Sequence, residues 1–347
     1  MSSTMAAPRP LSVVVTGAAG NIGYALLPLL ASGSVFGTDR PIELRLLEIP
    51  QALSQLEGVK MELVDAAFPN VSSIMCTSDP LEAFRNVHVA ILVGGFPRKK
   101  GLLRKDLIQA NTNIFQTMGR ALDQVASPNV KVLCVANPAN TNCLVAIQQC
   151  SRIISPKNLC AMTHLDYTRA KAMVAERLDA SIKDIRNVII WGNHSATQYA
   201  DATSDGYIVT QQGEKVPLRY VMSNDKAWLQ NEFLTNVRQR GKEVIEQRGK
   251  SSAMSAAQAA ADCLRTWLVT GTKIGETISM AVYNDQGYYG VEQGLVFSFP
   301  CECRNGEWFV KEGIELDAFS RQQIRQTEEE LREERSDAME VLARSII

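Results

Sequence analysis

The run Leu11-Ser-Val-Val-Val-Thr16 passes directly into Gly17-Ala-Ala-Gly20-Asn-Ile-Gly23 and then into the helix-like stretch Tyr24 to Ser32. Six consecutive residues, mostly β-branched and apolar, predict a strand buried on both faces. The glycines let the chain turn sharply, so the order reads strand, tight turn, helix. In that order the oriented N–H groups of a helix N-terminus face outward, where an anion such as a pyrophosphate can sit. A turn that served only helix–strand packing would use the same glycines, and the spacing alone does not separate the two. Glu48 does. It lies in the second predicted strand, Ile42 to Ile49, where a carboxylate accepts hydrogen bonds from an adenosine ribose and repels a 2′-phosphate. Turn and acid together point to a dinucleotide site that prefers NAD to NADP.

Working outward, a helical segment at Leu56 to Ala66 precedes a third strand near Val87 to Val93 and a fourth at Val130 to Val135. Strands alternating with helices imply an α/β architecture, a doubly wound parallel sheet. The second half differs. It reads as a helix at Asp166 to Leu178, a short buried strand at Val188 to Trp191, and a hairpin over Ile208 to Val216 turning at Gly213. Long helical patterns span Asp225 to Arg248 and Ser252 to Val269, followed by strands at Ile278 to Tyr283 and Gly294 to Cys303. A charged amphipathic helix runs from Ser320, with Gln323 placed for a capping box, and its Glu328 to Arg335 charge run reads as a solvated face. The change of character sets a boundary near residue 160, with a dinucleotide-binding domain at 1–160 and an α+β substrate domain at 161–347.

With 347 residues, 46% hydrophobic and 21% charged, the chain has enough apolar surface for a large core and is not disordered. A formal charge of −1 provides no global field, so neither nucleic acid nor membrane is expected as a partner, and any anion site must be built locally. No stretch approaches the roughly 18 apolar residues that span a bilayer. The first ten residues hold no secretory core, and Ser345-Ile-Ile347 is not a peroxisomal address, so the cytoplasm is the expected compartment. Eight cysteines without a C-x-x-C pair suggest buried thiols, and Cys301 and Cys303 share a strand face without making a zinc site.

Two features carry chemistry. Gly94-Gly-Phe-Pro-Arg98-Lys-Lys-Gly-Leu-Leu-Arg104-Lys105 leaves the carboxyl end of the third expected strand and holds five basic residues among the last eight. With glycines as hinges it reads as a lid over a small anion; a nucleic-acid patch would interleave aromatics, which are missing. Further on, Asp166 and Arg169 share one face at a helix start, and His194 follows a short strand. An ordinary ion pair and a core histidine are the competing readings. Together, though, guanidiniums that bind carboxylates and an Asp–His pair are what hydride transfer to a 2-oxo acid requires.

The segments Thr16-Gly-Ala-Ala-Gly-Asn-Ile-Gly-Tyr-Ala-Leu, Gly94-Gly-Phe-Pro-Arg, Ala136-Asn-Pro-Ala-Asn-Thr-Asn142, Leu165-Asp, Ile189-Ile-Trp-Gly-Asn-His-Ser and Ser251-Ser-Ala-Met-Ser-Ala-Ala occur in that order. In them the chain resembles the cytosolic-type malate dehydrogenases of the lactate/malate dehydrogenase superfamily, from about Leu11 to Leu342. The resemblance implies a Rossmann-type fold, NAD as cofactor, a small dicarboxylate substrate interconverted between (S)-malate and oxaloacetate, and a homodimer. Carried over by position, His194 is the proton donor and acceptor and Asp166 orients it. Arg169 clamps the C1 carboxylate, Arg104 polarises the reacting carbonyl, and Arg98 reads the second carboxylate. Asn137 meets substrate and nicotinamide, and the remaining cofactor positions are Gly17, Gly20, Asn21, Ile22, Gly23, Glu48, Asn111 and Val135.

The chain departs from that pattern at three places. Glu48 stands where an aspartate is usual, His164 replaces an arginine near enough to Asp166 to change its electrostatics, and Met118 replaces a glutamine. Aromatic 2-hydroxy acid dehydrogenases share the resemblance but lack the arginine at position 98, so its presence favours a dicarboxylate. A non-catalytic dinucleotide sensor on the same fold is the rival outside enzymes, and the set His194, Asp166, Arg104 and Arg169 argues against it.

Overall fold

The computed structural model describes residues 9–96, 104–150 and 153–344. Its first half lays down β1 (Leu11–Thr16), β2 (Ile42–Leu47), β3 (Val71–Thr77), β4 (Val89–Leu92), β5 (Lys131–Cys134) and β6 (Leu159–Ala161). These pair in parallel in the order β6-β5-β4-β1-β2-β3. Between them run α1 (Asn21–Ala31), α2 (Leu53–Asp65), α3 (Pro80–Phe84), α4 (Arg104–Val125) and α5 (Ala139–Gln149). The valines of β1 show why the sheet must be covered twice. Successive side chains of a strand point to opposite faces, and Val13 and Val15 enter one core with Leu26 and Leu30 of α1, while Val14 enters the other with Phe84, Phe115 and Leu122. All three valines are fully buried.

The strand order reverses between β1 and β4. At such a switch point the two loops leave in opposite directions and open a crevice at the carboxyl edge. Two strands here were not anticipated from the sequence, so the strands expected third and fourth are β4 and β5. β3 is an edge strand whose Ser72 and Ser73 face solvent, and β6 is three residues long. Neither carries enough apolar pattern to stand out.

The second half contains α6 (His164–Arg177), β7 (Ile185–Arg186), β8 (Ile189–Trp191), β9 (Tyr199–Asp201), and the β10 (Tyr207–Val209) and β11 (Lys215–Pro217) hairpin. It continues through α7 (Leu218–Val221), α8 (Lys226–Gln230), α9 (Glu232–Arg248), α10 (Met254–Arg265), β12 (Ile278–Tyr283), β13 (Val296–Arg304), β14 (Glu307–Val310) and α11 (Ala318–Arg344). β12 pairs antiparallel with β6, and β13 and β14 follow, so one nine-stranded sheet runs through both halves among the described residues. Cys301 and Cys303 are buried on β13, and of the eight free cysteines only Cys76 is not fully buried.

Three expectations need correction. The helix expected over 225–248 breaks at Asn231 (φ −125°, ψ −80°), whose side chain donates to the Ala227 carbonyl and ends α8. α11 is capped by Asp317, which accepts from the Ser320 N–H at 2.7 Å. Ser320 instead meets the Tyr199 hydroxyl at 2.8 Å, and Gln323 accepts from Arg238 at 2.8 Å, so these residues join α11 to the body. Nor is the Glu328 to Arg335 run wholly solvated, because Glu334 is only 2% exposed.

β1 and β4 meet at their carboxyl ends through Gly17, which has φ +64° and where an added Cβ would stand 2.6 Å from the Gly94 Cα. Gly17→Ala is therefore expected to lower unfolding free energy by about 1–3 kcal/mol, from left-handed backbone strain plus the forced separation of two backbones. Urea unfolding of the full chain checks this. A midpoint equal to wild type would show that the strand ends are not held this closely.

Candidate active site

The crevice is built from loop residues at the carboxyl ends of β1, β4 and β5. Gly20 is the N-cap of α1, and no side chain caps that helix or places an acid in its first turn. The helix therefore presents the unsatisfied N–H groups of its first turn, around exposed Asn21 and half-buried Ile22, with no competing carboxylate in that turn. Glu48 reaches across from the end of β2, and its Oε1 accepts from the Ala19 N–H at 3.1 Å. A glycine turn opening an uncapped helix and the Glu48 carboxylate thus stand side by side, an arrangement whose residues fit a dinucleotide.

Thr16 Oγ1 accepts from the Gly94 N–H at 3.0 Å, joining the ends of β1 and β4. Asn111 then bridges β4 to β5. Its side chain accepts from the Phe96 N–H at 2.7 Å and donates to the carbonyls of Phe96, Leu107 and Asn137. It is fully buried, and the described geometry makes it a brace. Val135 is buried just beyond β5, and its N–H donates to Leu92 at 2.9 Å. Asn137 is exposed before Pro138, to which it is joined by a cis peptide bond. Arg98 and the rest of the basic loop to position 103 lie outside the described residues, as does the side chain of Arg104, whose backbone opens α4.

Asp166 lies in the first turn of α6, fully buried. Its Oδ2 meets His194 Nδ1, and its Oδ1 stands 3.3 Å from Arg169 Nη1. Arg169 is held from its other side by Ser252, to which Nη2 donates at 3.2 Å. Burial pushes the Asp166 carboxyl up, but the charge and hydrogen bond of His194 outweigh it, with help from Arg169 and Gln198, and the net direction is down. For His194 burial works against the cation. The Asp166 carboxylate more than reverses this, despite opposition from Arg169, and the imidazole is held above its ordinary value. With Nδ1 engaged by Asp166, Nε2 is the remaining proton site, and the ring keeps 18% of its surface exposed.

His164 does not belong to this circuit. It packs on Tyr167 with ring centroids 4.9 Å apart, and burial, with Lys171 adding to it, pushes its pKa down to about 3. The ring stays neutral, so it adds no charge beside Asp166. Met118 packs against the second core.

The loop bearing His194 is positioned by a residue the sequence reading quoted but gave no role. Asn140, fully buried on α5, accepts from the His194 N–H at 2.9 Å and donates to the carbonyls of Gly192 and Val296. Ser252 was likewise quoted within its segment without a role. Gln198 and Glu334 were missed outright, the latter because a charge run hides a buried acid.

Residues 11–159 match the lactate/malate dehydrogenase NAD-binding domain, and residues 163–342 match the lactate/malate dehydrogenase alpha/beta C-terminal domain. The cytoplasmic malate dehydrogenase of Zea mays is 48% identical over 97% of this chain and 99% of its own. The crystal structure of malate dehydrogenase from Naegleria fowleri superposes with a TM-score of 0.90 at 42% identity, covering 97% of this chain and all of that one. Lactate dehydrogenase of Trichomonas vaginalis, solved with NADH and oxamate, gives 0.90 at 38% identity over 96% of this chain and 99% of that one. Both halves of the chain are matched and its relatives align nearly end to end: it belongs to the lactate/malate dehydrogenase family.

Proposed function

We propose that the protein is an NAD-dependent malate dehydrogenase that transfers a hydride reversibly between (S)-malate and oxaloacetate. The observation that carries this reading is the buried Asp166 carboxylate paired with His194 Nδ1 while Arg169 stands against its other oxygen. When bound, NAD supplies the hydride acceptor, and NADH the donor. The chain supplies the rest. Arg169 holds the C1 carboxylate, His194 Nε2 takes the malate hydroxyl proton, and Asp166 keeps the ring in one tautomer and stabilises the imidazolium that forms. In the reverse direction the protonated ring gives its proton to the carbonyl oxygen, which Arg104 polarises. Gly17, Gly20, Asn21, Ile22 and Gly23 cradle the pyrophosphate, Glu48 takes the ribose, and Val135 and Asn137 lie along the nicotinamide side.

We assign this work to residues 1–160 for the dinucleotide and 161–347 for the substrate. The Zea mays relative supports a cytoplasmic setting, and among the described residues no helix is long and apolar enough to cross a membrane. The homodimer that the family resemblance implies is part of this reading.

A lactate dehydrogenase shares this fold at 38% identity, so the architecture does not choose the substrate. The choice falls to Arg98. A carboxylate in a closed, water-poor site needs a charged partner, whose loss costs about 2–5 kcal/mol. Arg98→Ala should therefore lower kcat/KM for oxaloacetate by roughly 30-fold or more, with a much smaller effect on pyruvate or an aromatic 2-oxo acid. Equal losses on all three substrates would assign Arg98 to loop closure in general.

His194→Asn preserves size and should leave NADH binding intact while lowering turnover by about 10²–10⁴-fold, the usual loss for a positioned acid–base group. Nicotinamide absorbance with oxaloacetate measures it. Near-normal turnover in the folded variant would make His194 a structural histidine.

A further inference from the structure

The C-terminal helix reaches into the loop that carries His194. Along α11 the buried residues Ile324, Thr327, Leu331, Glu334, Ala338 and Leu342 recur at three- and four-residue spacing. Glu334 thus occupies a place where this stripe elsewhere carries apolar or small side chains. A carboxylate out of water persists only when hydrogen bonds replace its hydration. Glu334 Oε1 accepts from Asn193 Nδ2 at 2.6 Å, and Oε2 accepts from the Thr141 hydroxyl. Asn193 Nδ2 also donates to Glu330 at 2.9 Å, and Glu330 accepts from the hydroxyls of Ser195 and Thr197.

Two stripe positions earlier, Thr327 Oγ1 accepts from the Asn193 N–H at 2.9 Å. It stands so close to Gly192 (φ +90°) that an added Cβ would lie 2.1 Å from the Thr327 Cγ2. α11 therefore holds the backbone just before His194, at Gly192 and Asn193, and the side chains of Ser195 and Thr197 just after it. Thr141, the second partner of Glu334, follows Asn140, which accepts the His194 N–H.

We propose that Glu334 is a positioning residue for proton transfer. By tying Asn193 to the first turn of α5, it sets where the loop presents His194 relative to Asn137 and the cofactor edge. The inference rests on His194 being the acid–base group. If Glu334 only fastened α11 to the body, its loss would lower stability and leave the reaction unchanged.

The test is Glu334→Gln in the full chain, read by kcat, KM for oxaloacetate, NADH affinity, and the deuterium isotope effect with NADH labelled at the transferred position. A displaced catalytic group slows the chemical step, so kcat should fall roughly 10- to 100-fold, the loss that follows a misplacement of about 1 Å. The isotope effect on kcat should rise, and NADH affinity should stay within about twofold. A folded Glu334→Gln protein with the kcat and isotope effect of wild type overturns the proposal. Should that variant not fold, Asn193→Ala removes the same link without a charge change; native kcat there overturns it equally. His194→Asn run in parallel separates the two readings. An active His194→Asn enzyme removes the acid–base assignment itself, whereas an inactive one beside a normal Glu334→Gln removes only the role given to Glu334.

Discussion

A carboxylate held entirely out of water is the constraint around which this molecule is arranged. Burying an ion carries a penalty of several kcal/mol unless partners replace its hydration, and Asp166 has several, Gln198 among them. It lies in the first turn of α6, where the helix dipole favours a negative charge. Its Oδ1 stands 3.3 Å from a guanidinium. The imidazole takes Oδ2. Because the arginine opposes protonation of the histidine while the carboxylate promotes it, the carboxylate must stay ionised for the imidazolium to persist. Each member is useful only while the other two are in place, and that dependence places strict demands on the surrounding fold.

Those demands explain features that otherwise look unrelated. His194 sits on a loop, yet its N–H, its neighbours' carbonyls and its neighbours' side chains are bound from three sides: Asn140 on α5, Ser298 on β13, and Thr327, Glu330 and Glu334 on α11. β13 can serve because β12 joins the antiparallel strands to β6 in one sheet. The crevice and the Asp166–His194 pair are thereby tied to the same sheet, with buried Asn111 bridging the chain beyond β4 to that beyond β5 and buried Asn140 joining α5 to the His194 loop and β13.

Strong, local patterns were legible in the sequence, and cooperative ones were not. Val13 to Val15 announced a doubly covered strand, Gly17 to Gly23 the turn, and Glu48 its acid, because each depends on a few adjacent residues. β3 escaped notice because an edge strand with Ser72 and Ser73 outward has no full apolar run, and β6 because three residues make no pattern. The bracing by Asn111 depends on carbonyls of Phe96, Leu107 and Asn137, which no spacing reveals. Glu334 was lost among neighbouring charges, although its place on the Ile324, Thr327, Leu331 stripe marked it as inward-facing. That the His164 ring is buried against Tyr167 and neutral was not legible either, because it depends on the packing around it.

The central claim is that an ionised, buried Asp166 holds the His194 imidazole in its protonated form above the ordinary histidine range. Titration of His194 by nuclear magnetic resonance, in the wild-type chain and in Asp166→Asn, tests it most directly. Wild type should titrate above about 6.5, the value of an unperturbed histidine. Asp166→Asn removes the carboxylate that raises it, leaving burial and Arg169 to lower it, so the variant should titrate below that value. A His194 titration unchanged by the substitution would contradict the account.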